Sequence, residues 1–219
     1  MNTRTFLTIG AVGFAVAVLA FPALAVAVWP IGLVDPIQAI LSGQVTPGMD
    51  AFDRYLATLP ACYAIDDIFI IGWMVGWLGV VVLVRERQRL LGNIVLVLGM
   101  AGPILDFTEN EIGWALIGVC QQGTPAPDGW LVAWQAIRQV SFMIPYSAMV
   151  LACPAIWSRR ILDRIVVGIG TVGFVVPIMG AYIPDLWLWV LAWWLIWFAG
   201  LGLVLWQRRT DFPPPDLQC

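Results

Sequence analysis

Six predominantly apolar stretches, at about 6–29, 60–84, 90–119, 130–157, 161–183 and 186–206, recur along the 219-residue chain. A helix of roughly 20 apolar residues crosses the hydrocarbon core of a bilayer, and each stretch reaches that length. The pattern predicts an all-α integral membrane protein, a single six-helix transmembrane bundle without a separate soluble domain. Only 11% of residues are charged, against about 25% in a soluble globular chain. The first stretch follows Arg4, and Ala23-Leu24-Ala25 resembles a signal cleavage site. Its length exceeds the roughly 7–15 residues of a signal h-region, so an uncleaved span is expected.

Arginine sets the expected orientation. Arg4, the 85–89 connector (Arg85, Arg87, Arg89), the 159–164 connector (Arg159, Arg160, Arg164) and Arg208-Arg209 all fall on one side if there are six spans. The opposite connectors hold Asp35, Asp50, Asp53, Asp128 and Asp185, with Arg54 as their basic residue. The positive-inside rule then places both termini in the cytoplasm, in an inner or plasma membrane. The outer loop, 30–59, is the one long connector. Asp35-Pro36 and Thr46-Pro47 read as helix starts, so two short surface helices are expected there. Residues 207–219 form a cytoplasmic tail. Prolines 22, 103, 145, 154 and 177 within or near the runs are expected to kink helices rather than end them.

The inventory of side chains narrows the chemistry. The chain has no histidine, and all 11 basic residues are arginines. Without lysine there is no Schiff-base nucleophile of that type, and without histidine the commonest metal ligand and general base are missing. A net charge of −3 argues against nucleic-acid binding, which needs a basic face. No CxxC pattern is present, and neither a metal nor a cofactor is expected. Cys62 and Cys120 fall near the outer ends of the second and third spans. A disulfide between them and two packed thiols are both consistent with that placement. Cys153 and Cys219 fall on the cytoplasmic side.

Ionisable residues inside the apolar runs are the main functional signal. At about 1.5 Å per residue, Asp66 and Asp67 stand about 10 Å inward from the outer end of their span and Arg138 about 12 Å. Asp106 and Glu109 stand roughly 15–20 Å inward, provided the third span is continuous through Glu109. If that span ended near Phe107, Glu109, Asn110 and Glu111 would be a solvated helix end. Asp106, Glu109 and Asn110 are spaced to share one helix face, as are Gln135, Arg138 and Gln139. Four carboxyls around one guanidinium leave a formal excess of negative charge in a poorly solvated region. Repulsion and desolvation both favour the neutral acid, so at least one carboxyl is expected to keep its proton. The competing expectation is a buried ion-pair set that only fixes helix packing.

Thirteen tryptophans complete the picture. Trp29, Trp130, Trp157, Trp187 and Trp206 lie near span ends, where interfacial belts form. Trp73 and Trp77, and Trp189, Trp193 and Trp197, form i,i+4 stripes toward mid-span. Such stripes serve helix packing, or they wall an apolar cavity together with Tyr63 and Tyr146. In architecture and inventory the chain resembles the small integral-membrane terpene cyclases, which are multi-pass, metal-independent and reliant on acidic residues. The resemblance is one of class, without a shared motif. It implies an enzyme using carboxylic acid–base chemistry on an isoprenoid- or sterol-like substrate, as a proton-initiated cyclase or isomerase. Asp106 or Glu109 would be the acid, Arg138 would orient its partner, and Asp66 or Asp67 would be the terminal base. Asn110, Gln135, Gln139, Tyr63, Tyr146 and the tryptophan stripes would contact the lipophilic molecule. A proton-coupled transporter or channel component, and an accessory subunit bound to a protein partner or to a second copy, are the alternatives.

Overall fold

The computed structural model describes residues 2–29, 36–173 and 187–212, the side chains of residues 36, 142 and 187–191 excepted. Among the described residues seven α-helices follow one another: α1 Thr3–Val28, α2 Pro36–Leu41, α3 Asp50–Arg87, α4 Arg89–Gln121, α5 Asp128–Ile156, α6 Ile161–Val172 and α7 Trp187–Arg208. A 3-10 turn, Arg209–Asp211, follows α7, and no strand occurs among the described residues. Helices α1, α3, α4 and α5 are long and apolar enough to cross a membrane. Asp35, Pro177, Asp185, Cys219 and the later part of the expected 161–183 span lie outside the described residues.

The connector before the second span differs from expectation. Among its described residues the 30–59 connector holds one separate short helix, α2, and not two. Thr46-Pro47 sits in a turn, after which α3 starts at Asp50 and runs through Pro60 into the apolar run. One proline removes one backbone donor, and a helix packed on neighbours on both sides of it survives that loss. Of the two alternatives for the third span, the continuous one is found: α4 runs from Arg89 to Gln121 with Pro103 inside it.

Backbone contact between small residues builds the α1–α3 pair. A Cβ at Gly10 would lie 2.7 Å from Gly79 Cα, and one at Gly13 would lie 2.5 Å from Gly76 N and 2.8 Å from the Gly72 carbonyl oxygen. No side chain fits between the two helices there, which is how small-residue stripes hold membrane helices together. Helices α3 and α4 are joined through Gln88 alone, whose extended backbone (φ −152°) separates them. Gly92 permits the turn, since its Cβ would stand 3.0 Å from Arg85 Cα. Further packing joins α4 to α5, α1 to α7, and α6 to both α5 and α7.

The larger apolar core is aromatic. Trp73, Trp77, Trp194, Trp197 and Phe198 are all at most 2% exposed. Trp194 meets Trp73 at 5.3 Å and Phe198 at 4.8 Å between ring centroids, within the range of favourable edge and offset contacts. Two glycines make room for these rings. A Cβ at Gly99 would overlap the Trp77 indole, and one at Gly173 would overlap Trp193. Trp77 Nε1 donates to the Val95 carbonyl oxygen at 3.0 Å, so the ring is fixed as well as buried. A second, smaller core joins the connector between α1 and α3 to the helix ends: Ala39, Ile40, Leu41 and Val45 pack with Phe52, Leu59, Leu116, Ile117 and Trp134.

The arginine-rich helix ends gather at one end of the bundle. Thr3 Oγ1 donates to Glu86 Oε1 at 2.6 Å, tying the start of α1 to the end of α3. Arg87 donates to the Pro154 and Trp157 carbonyls at 3.3 and 3.1 Å. Arg208 donates to the Ile156 carbonyl at 3.2 Å and to Asp163 at 2.7 Å. The first and last described helices therefore have their outermost turns on the same side.

Candidate functional site

Between the two apolar cores lies a polar layer contributed by α3, α4 and α5. On α4 the spacing of Asp106, Glu109 and Asn110 turns all three inward, and they are 5%, 7% and 8% exposed. Asn110 Nδ2 donates to Asp66 Oδ2 on α3 at 2.7 Å. Glu109 Oε1 stands 3.7 Å from Arg138 Nε on α5. The charged neighbours of Asp106 are Asp66, Glu109 and Arg138. Five of the residues singled out in the sequence thus form one cluster, with three carboxyls to one guanidinium.

The layer is nearly level. Counted at about 1.5 Å per residue from the arginine end, Asp106 lies about 26 Å up α4 from Arg89, Asp66 about 32 Å up α3 from Arg87 and Arg138 about 28 Å up α5 from Trp157. Apolar residues close it on both sides. Phe69, Ile70 and Trp73 continue α3 toward the arginine end, and Leu59 precedes it on the other side, all of them buried. Below Arg138 on α5, buried Ser141 donates to the Arg138 carbonyl at 2.9 Å, and Gly102 packs against Pro145.

Asp67 lies at the edge of this group, reached through Asn110. One residue on from Asp66, it is rotated by about 100° on the helix, is half-buried, and has Glu111 and Asn110 as its polar neighbours. Glu111 itself is exposed. Gln135 and Gln139 do not join the layer: both are exposed, while Arg138 between them is half-buried. The buried edge of α5 runs through Trp134, Ser141, Pro145, Ala148 and Ala152. Arg138 lies at its margin, and the two glutamines are one step further round.

The aromatic candidates divide. Trp73, Trp77 and Trp197 are core residues packed ring against ring, and Trp193 stacks on Trp197 at 6.1 Å with 10° between planes. Tyr146 is 2% exposed and lies 5.1 Å from Trp194. These rings contact one another within and across the helices. The side chain of Trp189 lies outside those described. Tyr63 meets Trp114 edge-on at 5.1 Å, near the acidic layer. Cys62 and Cys120 are thiols and not a disulfide.

Sequence reasoning passed over two neighbours of importance. Trp134 is fully buried beneath the guanidinium of Arg138, which lies 5.3 Å from its ring centroid. Its i,i+4 spacing to Arg138 was the available signal. Trp194, next to the stripe rather than in it, is the hub of the aromatic core. At the opposite end a further buried pair, Asp163 with Arg208 at 2.7 Å, also escaped notice.

A layer of this kind can hold, donate and accept protons with carboxyl groups alone, because Asp106 is removed from water while two other acids and one fixed cation surround it. Neither a family model, nor a curated protein, nor a solved structure matches the chain.

Proposed function

We propose that the chain is a six-span protein of an inner or plasma membrane with both termini in the cytoplasm, and that its carboxyl layer performs acid–base chemistry on a lipophilic, isoprenoid- or sterol-like substrate. Asp106 carries this reading: a carboxyl 5% exposed, with Asp66 and Glu109 as neighbours and Arg138 as its one cationic neighbour. Such a group is costly to bury, and a protonated carboxyl in an apolar setting is a general acid. Asp106 would deliver its proton to an alkene or epoxide carbon or oxygen. Glu109, held by Arg138, would remove a proton from a neighbouring carbon, so that an isomerisation or cyclisation is balanced without a cofactor.

The height of the layer supports the substrate class. With the arginine end at one boundary, a layer about 26–32 Å away falls near the far edge of a hydrocarbon core of about 30 Å. There an amphipathic lipid presents its polar end while its tail stays in the bilayer. The packed tryptophan core beneath the layer opposes the transport alternative, because a proton path to the arginine end would have to cross Trp73, Trp194 and Phe198.

The test uses the whole protein in nanodiscs, supplied with polyprenyl and sterol-like olefins in deuterium oxide. Deuterium should enter a carbon position of the product, and Asp106→Asn should reduce incorporation by at least about 100-fold, the usual scale of a lost general acid. Incorporation that persists in Asp106→Asn and in Glu109→Gln, with both variants folded, rejects the assignment.

A further inference from the structure

At the arginine end, away from the carboxyl layer, an open surface depression of about 350 Å³ is lined by Arg160, Trp206, Gln207, Arg209 and Thr210. Its size falls within the roughly 300–1,000 Å³ of small-ligand sites. Arg160 comes from the turn before α6, Trp206 and Gln207 from the last turns of α7, and Arg209 and Thr210 from the 3-10 turn. We propose that this depression binds the phosphate of an anionic phospholipid headgroup.

Charge points to an anion. Asp211 is shared between Arg160, at 2.6 Å, and Arg208, at 3.5 Å, while Asp163 takes Arg208 at 2.7 Å. Two carboxylates therefore pair with Arg160 and Arg208, and the third guanidinium, Arg209, has no carboxylate partner among the described residues. Arg160 Nη1 and Arg209 Nε lack an acceptor among the described residues as well. The guanidinium carbon of Arg209 lies over the Trp206 ring, 3.0 Å from its centroid. Contact with an aromatic face holds a guanidinium in place while its N–H donors remain able to meet phosphate oxygens.

The surface leading to the depression points to a lipid rather than a soluble anion. Ile196, Ala199, Leu203 and Trp206 on α7 are all exposed, and their spacing sets them on one helix face. This apolar track runs from mid-helix to the cationic depression. An acyl chain laid along it brings a headgroup phosphate to Arg160 and Arg209. Basic sites between helices at the cytoplasmic surface recognise headgroups in this way.

Native mass spectrometry of the full-length protein, titrated with phosphatidylglycerol or with phosphatidylcholine of the same chains, tests the site. One phosphatidylglycerol should be retained at about tenfold lower concentration than phosphatidylcholine. Arg209→Gln and Gln207→Glu should each weaken that binding by about five- to tenfold, the size of one basic contact near a membrane surface. Gln207 is exposed, so Gln207→Glu changes the charge of the depression without touching the core. Arg54→Gln, at the opposite end, should bind as the parent does. Displacement of the lipid by millimolar inorganic phosphate assigns the same phosphate site to a soluble ligand, and resistance assigns it to the headgroup. Equal retention of both lipids, or unchanged binding in Gln207→Glu, overturns the proposal.

Discussion

Asn110 on α4 donates its carboxamide N–H to the carboxylate of Asp66 on α3 at 2.7 Å, and this bond ties the two helices together within the polar layer, far from the Trp77–Val95 and Arg85–Asn93 hydrogen bonds that join them nearer the arginine end. A bond to a charged acceptor is worth about 1.5–3 kcal/mol in water-soluble proteins. Polar pairs between membrane helices average about 0.6 and reach about 1.7 kcal/mol. The half-buried position of Asp66 favours the upper part of the membrane range. Asn110→Ala should therefore destabilise the protein by about 1–2 kcal/mol. A double-mutant cycle with Asp66→Ala, followed by unfolding in mixed micelles, should give a coupling near the single-variant cost. Additive losses would mean that the two side chains do not depend on each other.

Arg138 carries the balance of the layer. Its Nε stands 3.7 Å from Glu109, and its side chain is 23% exposed, so the ion pair itself is loose and partly screened. Removing the cation still leaves three carboxyls facing one another. Truncating one member of a buried pair costs about 3–5 kcal/mol, and the partial exposure reduces that to about 1–2 kcal/mol for Arg138→Gln. Glu109→Gln in the same chain should restore much of the loss, because it removes one of the charges left behind. If the double variant unfolds at a lower denaturant concentration than Arg138→Gln alone, Glu109 is not what Arg138 offsets.

The inward face of α4 was legible because Asp106, Glu109 and Asn110 obey the helical period, and a charge in an apolar run has to turn inward. The same rule misplaced Gln135 and Gln139. Spacing groups them with Arg138, but the buried edge of α5 is set by where Trp134, Ser141 and Pro145 find partners, and a rotation of about 100° separates inside from outside. Spacing also cannot distinguish a packed tryptophan from one lining a cavity. That depends on Gly99 and Gly173, whose missing side chains admit the Trp77 and Trp193 rings from other helices. The passage of α3 through Pro60 was hidden for a similar reason, since it rests on neighbours distant in sequence.

Glycines offer a comparison within one molecule. At Gly13 a Cβ would stand 2.5 Å from the Gly76 nitrogen, a contact with backbone that a side-chain rotation cannot relieve. At Gly118 nothing lies within 4 Å of the same atom. Gly13→Ala should separate α1 from α3 and cost about 1–3 kcal/mol, the usual scale of overpacking. Gly118→Ala should be neutral or stabilising by up to about 1 kcal/mol, since alanine is the better helix former. Unfolding of both variants in the same detergent decides it, and equal stabilities would show that the α1–α3 backbone approach is not needed.

The buried pair at the arginine end should be the most sensitive polar contact in the chain. Asp163 is 0% exposed and accepts from Arg208 Nη2 at 2.7 Å and from Ser158 Oγ, while Arg208 also reaches the Ile156 carbonyl. One guanidinium thus connects the end of α7 to the end of α5 and the start of α6. Arg208→Gln strands a carboxylate with no water around it, a change expected to cost about 3–5 kcal/mol. Asp163→Asn alone leaves a neutral group that still accepts from Ser158 and Arg208, and should cost less. The double variant, with neither charge, should recover toward the Asp163→Asn value. Yield of folded protein from membranes and the midpoint of unfolding both report this order, and Arg208→Gln matching the parent in both would show that Asp163 needs no cation.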